Sequence, residues 1–443
     1  SDNCSTDFDH ELISIPIISI FYDLIPLMNP TLYFQDNPDF KRFYKSKINN
    51  LSNFDGLLAI SDSSRNEAIN HLEFDSNNIY NISAACDKSI FNKDTNIQLD
   101  ISDKVSYLET FLLYTGASDP RKNLKGLLEA YSLLPDDLKK YKLVLAGKLF
   151  KSEKELIHKW INEFKINSQN VEILGYVTDA DLVYLYRNCS LYIFPSFHEG
   201  FGLPILEAMS CGAPVIASKS TSIPEIISIN DAMFDPNNVL SIKRLIQKAL
   251  TDENFMDKLL NNSQLQKEKF SWKKSAEKAV KACEEIISRK SNKNDLISWE
   301  NRSDLSNKYL INLLIKIKSF KSNINQKNTK LLIQIASCID LMNIQIDNLL
   351  CLNTSSQKVK SWRVEGPFDS NYSLAILNRS FALALNNCVD NVSINVTEGL
   401  GDYEVDIDFI KRDLNMFSLF NKSNKNKSFK TDVVSRNMFP PRV

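Results

Sequence analysis

The sequence predicts an α/β protein with doubly wound parallel sheets, and two observations carry that prediction. From Leu108 to Ile287, strand patterns alternate with helical patterns. The strands are continuous apolar runs, such as FLLYTGA at Phe111–Ala117 and YKLVLAG at Tyr141–Gly147, which is typical of parallel strands covered on both faces by crossover helices. The length of 443 residues predicts two or three domains.

The elements follow in order after the first strand. Apolar spacing predicts a helix at Asn123–Pro135 and an amphipathic helix at Ser152–Lys165, with Ser152 and Glu155 as a capping box. The next predicted elements are the strand VEILGYV, the helix DADLVYLYRNC, the strand LYIFPS, a helix ending at Gly212 and the strand APVIAS.

The flanking regions indicate an incomplete first domain. Residues 1–110 contain strand patterns at Ile15–Leu27, Phe54–Ser61 and NIYNISAA, with a capped helix between the last two, but no opening strand with a Gly-rich turn. We therefore expect the chain to begin inside a domain. Beyond this region we assign residues 111–272 to a second Rossmann-like domain, 273–290 to a return helix, 291–357 to a helical linker and 358–443 to a strand–turn–helix–strand unit.

The terminal unit at 358–443 could supply what residues 1–110 lack. Each half alone would expose a parallel sheet edge and an uncovered apolar face. We predict that the unit packs beside 1–110 and completes one sheet in permuted order. Contacts of Trp362–Pro367 with Ile15–Ile20 or Leu57–Ile60 would support this arrangement, with the EGPFDSNYS turn facing the cleft opposite Glu199.

Composition excludes several classes of protein. The net charge of −1, without basic clusters, disfavours a nucleic-acid partner. Eight scattered cysteines without a Cys-x-x-Cys pair indicate reduced thiols in a cytoplasmic protein. The four histidines do not have the spacing of metal ligands, which disfavours a structural zinc site. The apolar runs are too short to span a bilayer.

The segment FPSFHEGFGLPILEAMSCGAPVIAS, residues 194–218, places Glu199 in a loop and Glu207 on a helix. The loop follows a strand, at the sheet edge where open α/β proteins bind ligands. Gly200 and Gly202 allow close backbone approach, and the free N–H groups near Phe201–Leu203, with the helix dipole, predict a diphosphate site. A diphosphate would repel both carboxylates, so each must reach hydroxyl groups, as two sugars flanking the diphosphate would supply.

These residues resemble the large retaining GT-B glycosyltransferase family, whose signature is Glu-x7-Glu and whose members use nucleotide sugars (the group 1 glycosyltransferases). TGASDPRKNLKGLLEAY, LVLAGK and the segment around Glu199 and Glu207 follow the family's order and spacing, over roughly residues 15–290. ASDPRKN is closest to bacterial polysaccharide mannosyl- or rhamnosyltransferases. WRVEGPFDSNYSLAILNR resembles the start of another such module, as in tandem proteins, so 358–443 reads as the first half of a second module.

The resemblance implies roles for the residues near the reacting centre. Glu207 binds the donor ribose, Glu199 contacts the transferred hexose, and Lys122 grips the diphosphate. The family has arginine directly after Gly116, where this chain has Ala117, and Arg121 is the candidate substitute because guanidinium matches phosphate geometry. A cation at the leaving group makes a metal unnecessary, so no cofactor is expected.

The resemblance also implies residues at the edges of the cleft. Tyr176 and Val177 line the base pocket, and His198 is equally consistent with a sugar contact or with loop support. In the acceptor half, Tyr22 takes a position where many members have histidine, and Asp23 follows it. The donor-side candidates also include backbone positions of the two loops: Gly116, Gly200, Phe201, Gly202 and Leu203.

Three functions stay open from the residues. Transfer of a hexose from a GDP- or UDP-linked sugar to a saccharide or lipid-linked saccharide acceptor in polysaccharide biosynthesis is favoured. A nonenzymatic nucleotide-sugar-binding module and a sugar-nucleotide epimerase are the alternatives. A dehydrogenase is excluded by the lack of G-x-G-x-x-G after a first strand. The basic patch Lys316, Lys318 and Lys321 is a weaker indication of contact with the inner face of a membrane, and the rest of a longer multi-module chain is a further expected partner.

Overall fold

The computed structural model describes residues 17–51, 54–72, 74–94, 100–116, 118–294, 358–368, 373–396, 406–425 and 431–436. Within these ranges the strands form two six-stranded sheets in which every paired strand is parallel to its neighbour. The strands are β1 Ile17–Phe21, β2 Gly56–Ala59, β3 Ile79–Asn81, β4 Phe111–Thr115, β5 Lys142–Ala146, β6 Val171–Gly175, β7 Leu191–Phe194, β8 Val215–Ser218, β9 Met233–Phe234, β10 Ser361–Gly366, β11 Asn391–Val396 and β12 Val433–Arg436.

Helices separate the strands along the chain, so the predicted α/β class with parallel sheets is confirmed. No helix among the described residues has the length and apolar content needed to cross a bilayer. The α-helices span Ile25–Met28, Pro30–Phe34, Pro38–Asn50, Asp62–His71, Asp103–Ser106, Leu124–Ser132, Lys151–Glu163, Asp179–Asn188, Leu203–Ser210, Ile223–Ile227, Val239–Thr251, Glu253–Lys267, Trp272–Asn294, Ser373–Leu385, Ile407–Ile410 and Leu414–Lys425.

The first sheet combines both ends of the chain in the order β11-β10-β12-β1-β2-β3. β12 pairs with β1 through Ile17 opposite Val434, and with β10 through Trp362 opposite Val433. Strands of the terminal unit and of the first hundred residues thus share one sheet, although β10 pairs with β12 rather than directly with β1 or β2, because β12 lies between them. The sequence prediction ended the strands before VVSR, a short β-branched segment that closes the gap.

The second sheet has the order β6-β5-β4-β7-β8-β9 and joins the first through the long helix Trp272–Asn294. This helix packs against β2, β3 and the helix Ser373–Leu385. Apart from Ile286, the residues of its buried face are small, so the helix can approach closely. At Gly56 a Cβ atom would lie 2.3 Å from the Ile286 Cδ1 atom, so a larger residue would require the Ile286 side chain to move.

Local boundaries differ from the predicted ones at one helix cap. The predicted capping box of Ser152 and Glu155 is wrong, because the helix begins at Lys151. Glu153 instead accepts a hydrogen bond from the Phe150 backbone N–H, at 2.6 Å, and another from the Ser118 hydroxyl, at 2.7 Å. The contact with Ser118, 35 residues away, favours Glu153 over the local motif. Beyond Asn294 the predicted linker, with the basic patch, lies outside the described residues.

A substitution of Trp362 tests whether the terminal strands stabilise the first sheet. Its side chain is fully buried in β10, and its indole N–H donates to the Ser435 hydroxyl of β12 at 2.9 Å. Trp362→Ala is expected to reduce the free energy of unfolding by about 3–5 kcal/mol through lost packing, measured by urea unfolding followed by far-UV circular dichroism. Leu265→Ala, at an exposed position, is the control with a loss under about 0.5 kcal/mol. Equal losses would contradict this arrangement.

Candidate functional site

The candidate site lies at the point where the strand order of the second sheet reverses. β4 pairs with β5 on one side and with β7 on the other, so the chain leaves the carboxyl ends of β4 and β7 side by side. Crevices at such reversals are where open α/β sheets bind ligands. The loop after β4 carries Arg121 and Lys122, and the loop after β7 carries His198 and Glu199.

Asn123 sets the direction of the cationic loop after β4. Its backbone is left-handed, with φ of 55°, and its side-chain amide donates to the carbonyls of Pro195, at 3.2 Å, and Pro236, at 2.9 Å. Asp119 accepts from the Arg121 backbone N–H at 2.8 Å and fixes the preceding turn. These bonds hold the Lys122 ammonium beside the β7 loop, 5.0 Å from the centre of the Phe194 ring.

Glu199 is the centre of the site. One of its carboxylate oxygens, Oε1, lies 2.7 Å from Lys122 Nζ and 2.8 Å from Arg121 Nη1. The Arg121 guanidinium also donates to the His198 carbonyl at 2.6 Å. Glu199 is only 8% exposed. The Asp119 carboxylate lies 3.9 Å from Arg121 Nε, so two cations and two carboxylates meet in a crevice from which water is largely excluded.

The pKa values follow from burial and this close pairing. Burial alone would raise the pKa of Glu199, but Lys122 and Arg121 lower it to about 2. Burial, helped by the neighbouring Arg121 charge, lowers the pKa of Lys122, although Glu199 opposes the shift. Burial also acts to lower the pKa of Arg121, yet Glu199 and Asp119 raise it above its ordinary value. Glu199 is therefore ionised throughout the neutral range.

Glu207 has a different environment, one turn into the helix Leu203–Ser210. The helix begins after Gly202, whose φ of 109° is left-handed and suits glycine. The Tyr186 hydroxyl donates to Glu207 Oε2 at 3.3 Å. Burial raises the pKa of Glu207 to about 7, although the bond from Tyr186 opposes the shift. The second glutamate thus lies near its ionisation boundary at neutral pH.

The first sheet faces the same site through Tyr22 and Asp23, directly after β1. A Cβ atom at Gly200 would lie 2.7 Å from the Tyr22 carbonyl oxygen and 2.8 Å from Asp23 Oδ2, so glycine is required for this approach. Asp23 Oδ1 accepts from the Ile25 backbone N–H at 3.0 Å. Burial raises the pKa of Asp23 to about 6. The two halves of the molecule therefore meet at Gly200.

The other predicted residues occupy varied positions. Tyr176 is 60% exposed beyond β6, Val177 is half-buried, and no hydrogen bond within the described ranges connects Tyr176 to either glutamate. Phe201 is a core residue whose ring packs edge-on against Phe270, 5.6 Å between centres, so its side chain does not serve a ligand. Gly116 has φ of 149° and donates its N–H to Ala146 at 2.9 Å.

Several contacts around Glu199 were not predicted from the sequence. His198 Nε2 lies 2.7 Å from Glu67 Oε1, so the loop-support reading of His198 fits the structure better than an open sugar contact. The Ser222 hydroxyl lies 2.9 Å from the Glu199 carbonyl oxygen and 2.8 Å from that of Phe201. No local pattern marks Glu67 or Ser222, because their partners are far away in sequence.

Two further sequence predictions concern metal ligands and the residue after Gly116. No group of three His, Cys, Asp or Glu side chains that could hold a metal ion occurs among the described residues. Ala117 lies outside the described residues, although Arg121, its candidate substitute, is part of the cluster on Glu199.

Much of the chain is similar to known proteins. The profile of the family described as "Glycosyl transferases group 1" matches residues 103–266. The serotype-specific mannosyltransferase WbdA of Escherichia coli is 37% identical over 290 residues, 65% of this chain and 36% of that protein. The O-antigen chain mannosyltransferase B of E. coli is 32% identical over 267 residues, 60% of this chain and 69% of that protein. The chain thus spans about a third of the length of the WbdA proteins.

A solved structure supports the fold alone. Sucrose-phosphate synthase from Thermosynechococcus elongatus superposes with a TM-score of 0.51 at 19% identity, over 61% of this chain and 68% of that one. At this identity the likeness concerns the arrangement of strands and helices rather than the chemistry.

The low pKa of Glu199 predicts a pH-dependent contribution to stability. Its pKa is about 2 in the folded protein against an ordinary value of 4.5, so its ionisation stabilises the fold above pH 4.5, and this contribution is lost as the pH falls towards 2. Glu199→Gln is expected to reduce the free energy of unfolding by about 3 kcal/mol at pH 7, and the difference should narrow below pH 4.5. Urea unfolding at pH 7 and pH 3.5 measures it.

The exposed Glu155→Gln is the matched control, with little change at either pH. A difference between Glu199→Gln and the unsubstituted protein that stays constant or grows in acid would contradict the ion pairing described above.

Proposed function

The chain belongs to the group 1 glycosyltransferase family, and from that premise we propose that it transfers a hexose from a nucleoside-diphosphate sugar to a saccharide acceptor with retention of anomeric configuration. The observation that carries the proposal is the pair of half-buried cations, Arg121 and Lys122, that contact Glu199 at the strand reversal. A hexosyl diphosphate needs positive charge at its leaving group and hydrogen-bond acceptors at its sugar hydroxyls, and this cluster offers both.

Bond cleavage between the hexose and the diphosphate leaves negative charge on the diphosphate oxygens. Lys122 and Arg121 are held in place before any ligand arrives, so they stabilise that charge without reorganisation of the site. Guanidinium and ammonium groups form charge-assisted hydrogen bonds to phosphate oxygens. In this proposal the protein's own cations take the place that a metal ion has in other transferases.

The two glutamates divide the recognition of the donor. Glu199, ionised and adjacent to the cations, accepts hydrogen bonds from hydroxyls of the transferred hexose. Glu207, one turn into the helix Leu203–Ser210, accepts hydrogen bonds from the ribose hydroxyls. Gly200 allows Tyr22 and Asp23 to approach Glu199 from the first half of the molecule, where the acceptor enters. Tyr176 stays the candidate contact to the nucleotide base.

The relatives suggest the sugar. Four relatives with 32–38% identity are named as serotype-specific or O-antigen chain mannosyltransferases. We therefore propose mannose as the hexose, GDP-mannose as the first donor to test and a growing polysaccharide as the acceptor. A cytoplasmic location at the inner face of the membrane, and further modules in a longer chain, stay predictions.

Donor binding without metal is the first test of this function. The full chain is expected to bind GDP, with UDP as the alternative base, in calorimetry with a chelator present, because Lys122, Arg121 and the helix start supply the phosphate contacts. Glu207→Gln should weaken GDP binding about tenfold or more through the lost ribose contact. Glu199→Gln should leave GDP affinity within about threefold and abolish transfer from GDP-mannose.

The outcomes separate the alternatives named above. Binding without turnover would indicate a nonenzymatic module, and conversion of the donor sugar without a new linkage would indicate an epimerase. Equal losses of GDP affinity in both variants would contradict the assigned roles, and an inverted anomeric signal of the product in NMR would contradict retention.

The raised pKa of Glu207 predicts that nucleotide affinity depends on pH. With a pKa of about 7 in the free protein, the carboxylate form that binds hydroxyls most strongly predominates above pH 7 and is replaced by the neutral acid below it. GDP affinity is therefore expected to fall severalfold between pH 8 and pH 6. The titration of GDP itself affects its binding to the unsubstituted protein and to Glu207→Gln alike. The difference between the two profiles of GDP affinity against pH therefore reports on Glu207 alone. Parallel profiles would disprove its involvement.

A further inference from the structure

The two residues that flank Glu199 both contact one helix of the first sheet. His198 is paired with Glu67, and the Gly200 carbonyl accepts from the hydroxyls of Ser61 and Ser64. Glu67 and Ser64 belong to the helix Asp62–His71, and Ser61 is its N-cap. The proposed hexose-binding carboxylate thus stands between two hydrogen-bonded anchors on the other half of the molecule.

The contact of Ser61 and Ser64 with Gly200 is fully buried and has short hydrogen bonds. Ser61 Oγ lies 2.7 Å and Ser64 Oγ 2.9 Å from the Gly200 carbonyl oxygen, and both serines have no exposed surface. Ser61 Oγ also accepts from the Ser64 backbone N–H at 2.9 Å, which caps the helix. Ser64 Oγ is close enough to bond to the Tyr22 carbonyl as well. A displaced Gly200 would take its buried carbonyl away from both serine donors, which is costly.

A reciprocal contact fixes the helix from the second half. Glu225 accepts from the backbone N–H groups of Asp62, at 2.9 Å, and Ser63, at 2.8 Å. A carboxylate at this position satisfies free N–H groups and complements the helix dipole. At the same time, Glu67 Oε2 accepts from the Leu24 backbone N–H at 2.9 Å, next to Asp23. The helix therefore connects the acceptor-side segment to the Glu199 loop.

We propose that Ser61, Ser64 and Glu67 are positioning residues that hold the Glu199 carboxylate in register with the acceptor-side wall. This proposal rests on the proposed function, because it concerns the geometry of the same transfer step. The three side chains act through His198 and Gly200 rather than through the sugar. The contacts of Lys122 with Glu199 and Phe194, and of Glu207 with Tyr186, all lie within the second half. We therefore expect binding of the bare nucleotide to depend much less on this helix than the placement of the hexose does.

The test compares Ser61→Ala/Ser64→Ala with Ser63→Ala in the full chain. Ser63 is on the same turn, and its hydroxyl is not part of this network, so Ser63→Ala keeps the backbone contact with Glu225. With GDP-mannose as donor and octyl α-mannoside as acceptor, the double variant is expected to lose about tenfold or more in kcat, with the calorimetric Kd for GDP within twofold of the unsubstituted protein. Ser63→Ala should keep both values.

Glu67→Gln is the second variant, for the case that the double variant does not fold. It preserves side-chain volume and weakens the contact with His198. Its kcat is expected to fall several-fold at unchanged GDP affinity. The proposal is overturned if folded variants keep kcat within twofold, if GDP affinity falls as much as kcat, or if Ser63→Ala loses as much activity as the double variant.

Hydrogen exchange measured by mass spectrometry provides a readout that needs no activity. The amides of residues 196–203 are expected to exchange about tenfold faster or more in the double variant, while those of β5 stay unchanged. If the unsubstituted protein forms no glycoside with these probes, the proposed function fails for them, and the exchange result alone decides the positioning role. Unchanged exchange in residues 196–203 would refute it.

Discussion

The contact of the Glu199 carboxylate with Lys122 and Arg121 is the interaction on which the site depends. A carboxylate that is 8% exposed loses most of its hydration, and this loss is tolerated only when opposite charges and hydrogen bonds replace the water. Both cations come from the loop after β4, while the carboxylate comes from the loop after β7. The pairing therefore requires β4 and β7 to be neighbours, which is the strand order that the sheet adopts.

The second sheet alone does not complete this site. The Glu199 loop packs on the first half through Gly200, where the approach of Tyr22 and Asp23 leaves no room for a side chain. The first half in turn needs a partner for the outer edge of β1, and β12 supplies it. Strands near the two ends of the described chain are thus linked to the Glu199 loop, and the helix Trp272–Asn294 carries the connection between the sheets.

The sequence predicted the features that depend on local pattern. Apolar runs identified the parallel strands, and Gly202, Pro204 and Gly212 marked the helix that carries Glu207. Features that depend on distant partners were not predictable: Glu67 has no motif of its own, and its role appears only when His198 comes within 2.7 Å. The capping box at Ser152 failed for the same reason, since Ser118 engages Glu153 from outside the helix. Short β12 was missed because four residues give too weak a periodicity to identify a strand.

The two glutamates of the motif show how one segment produces two different carboxylates. Eight residues separate them, yet the pKa is about 2 at Glu199 and about 7 at Glu207. Both are buried, so burial raises both pKa values, and the difference comes from their partners: two cations at Glu199 and a neutral tyrosine hydroxyl at Glu207. A ligand that carries a diphosphate would share the two cations with Glu199 and place negative charge near both glutamates. The cations stay where the protein holds them, and hydroxyls of a sugar add hydrogen bonds to the Glu199 carboxylate. A ligand that brings a diphosphate and a sugar together therefore uses the cations and the carboxylate at once, which a ligand with only one of these parts does not.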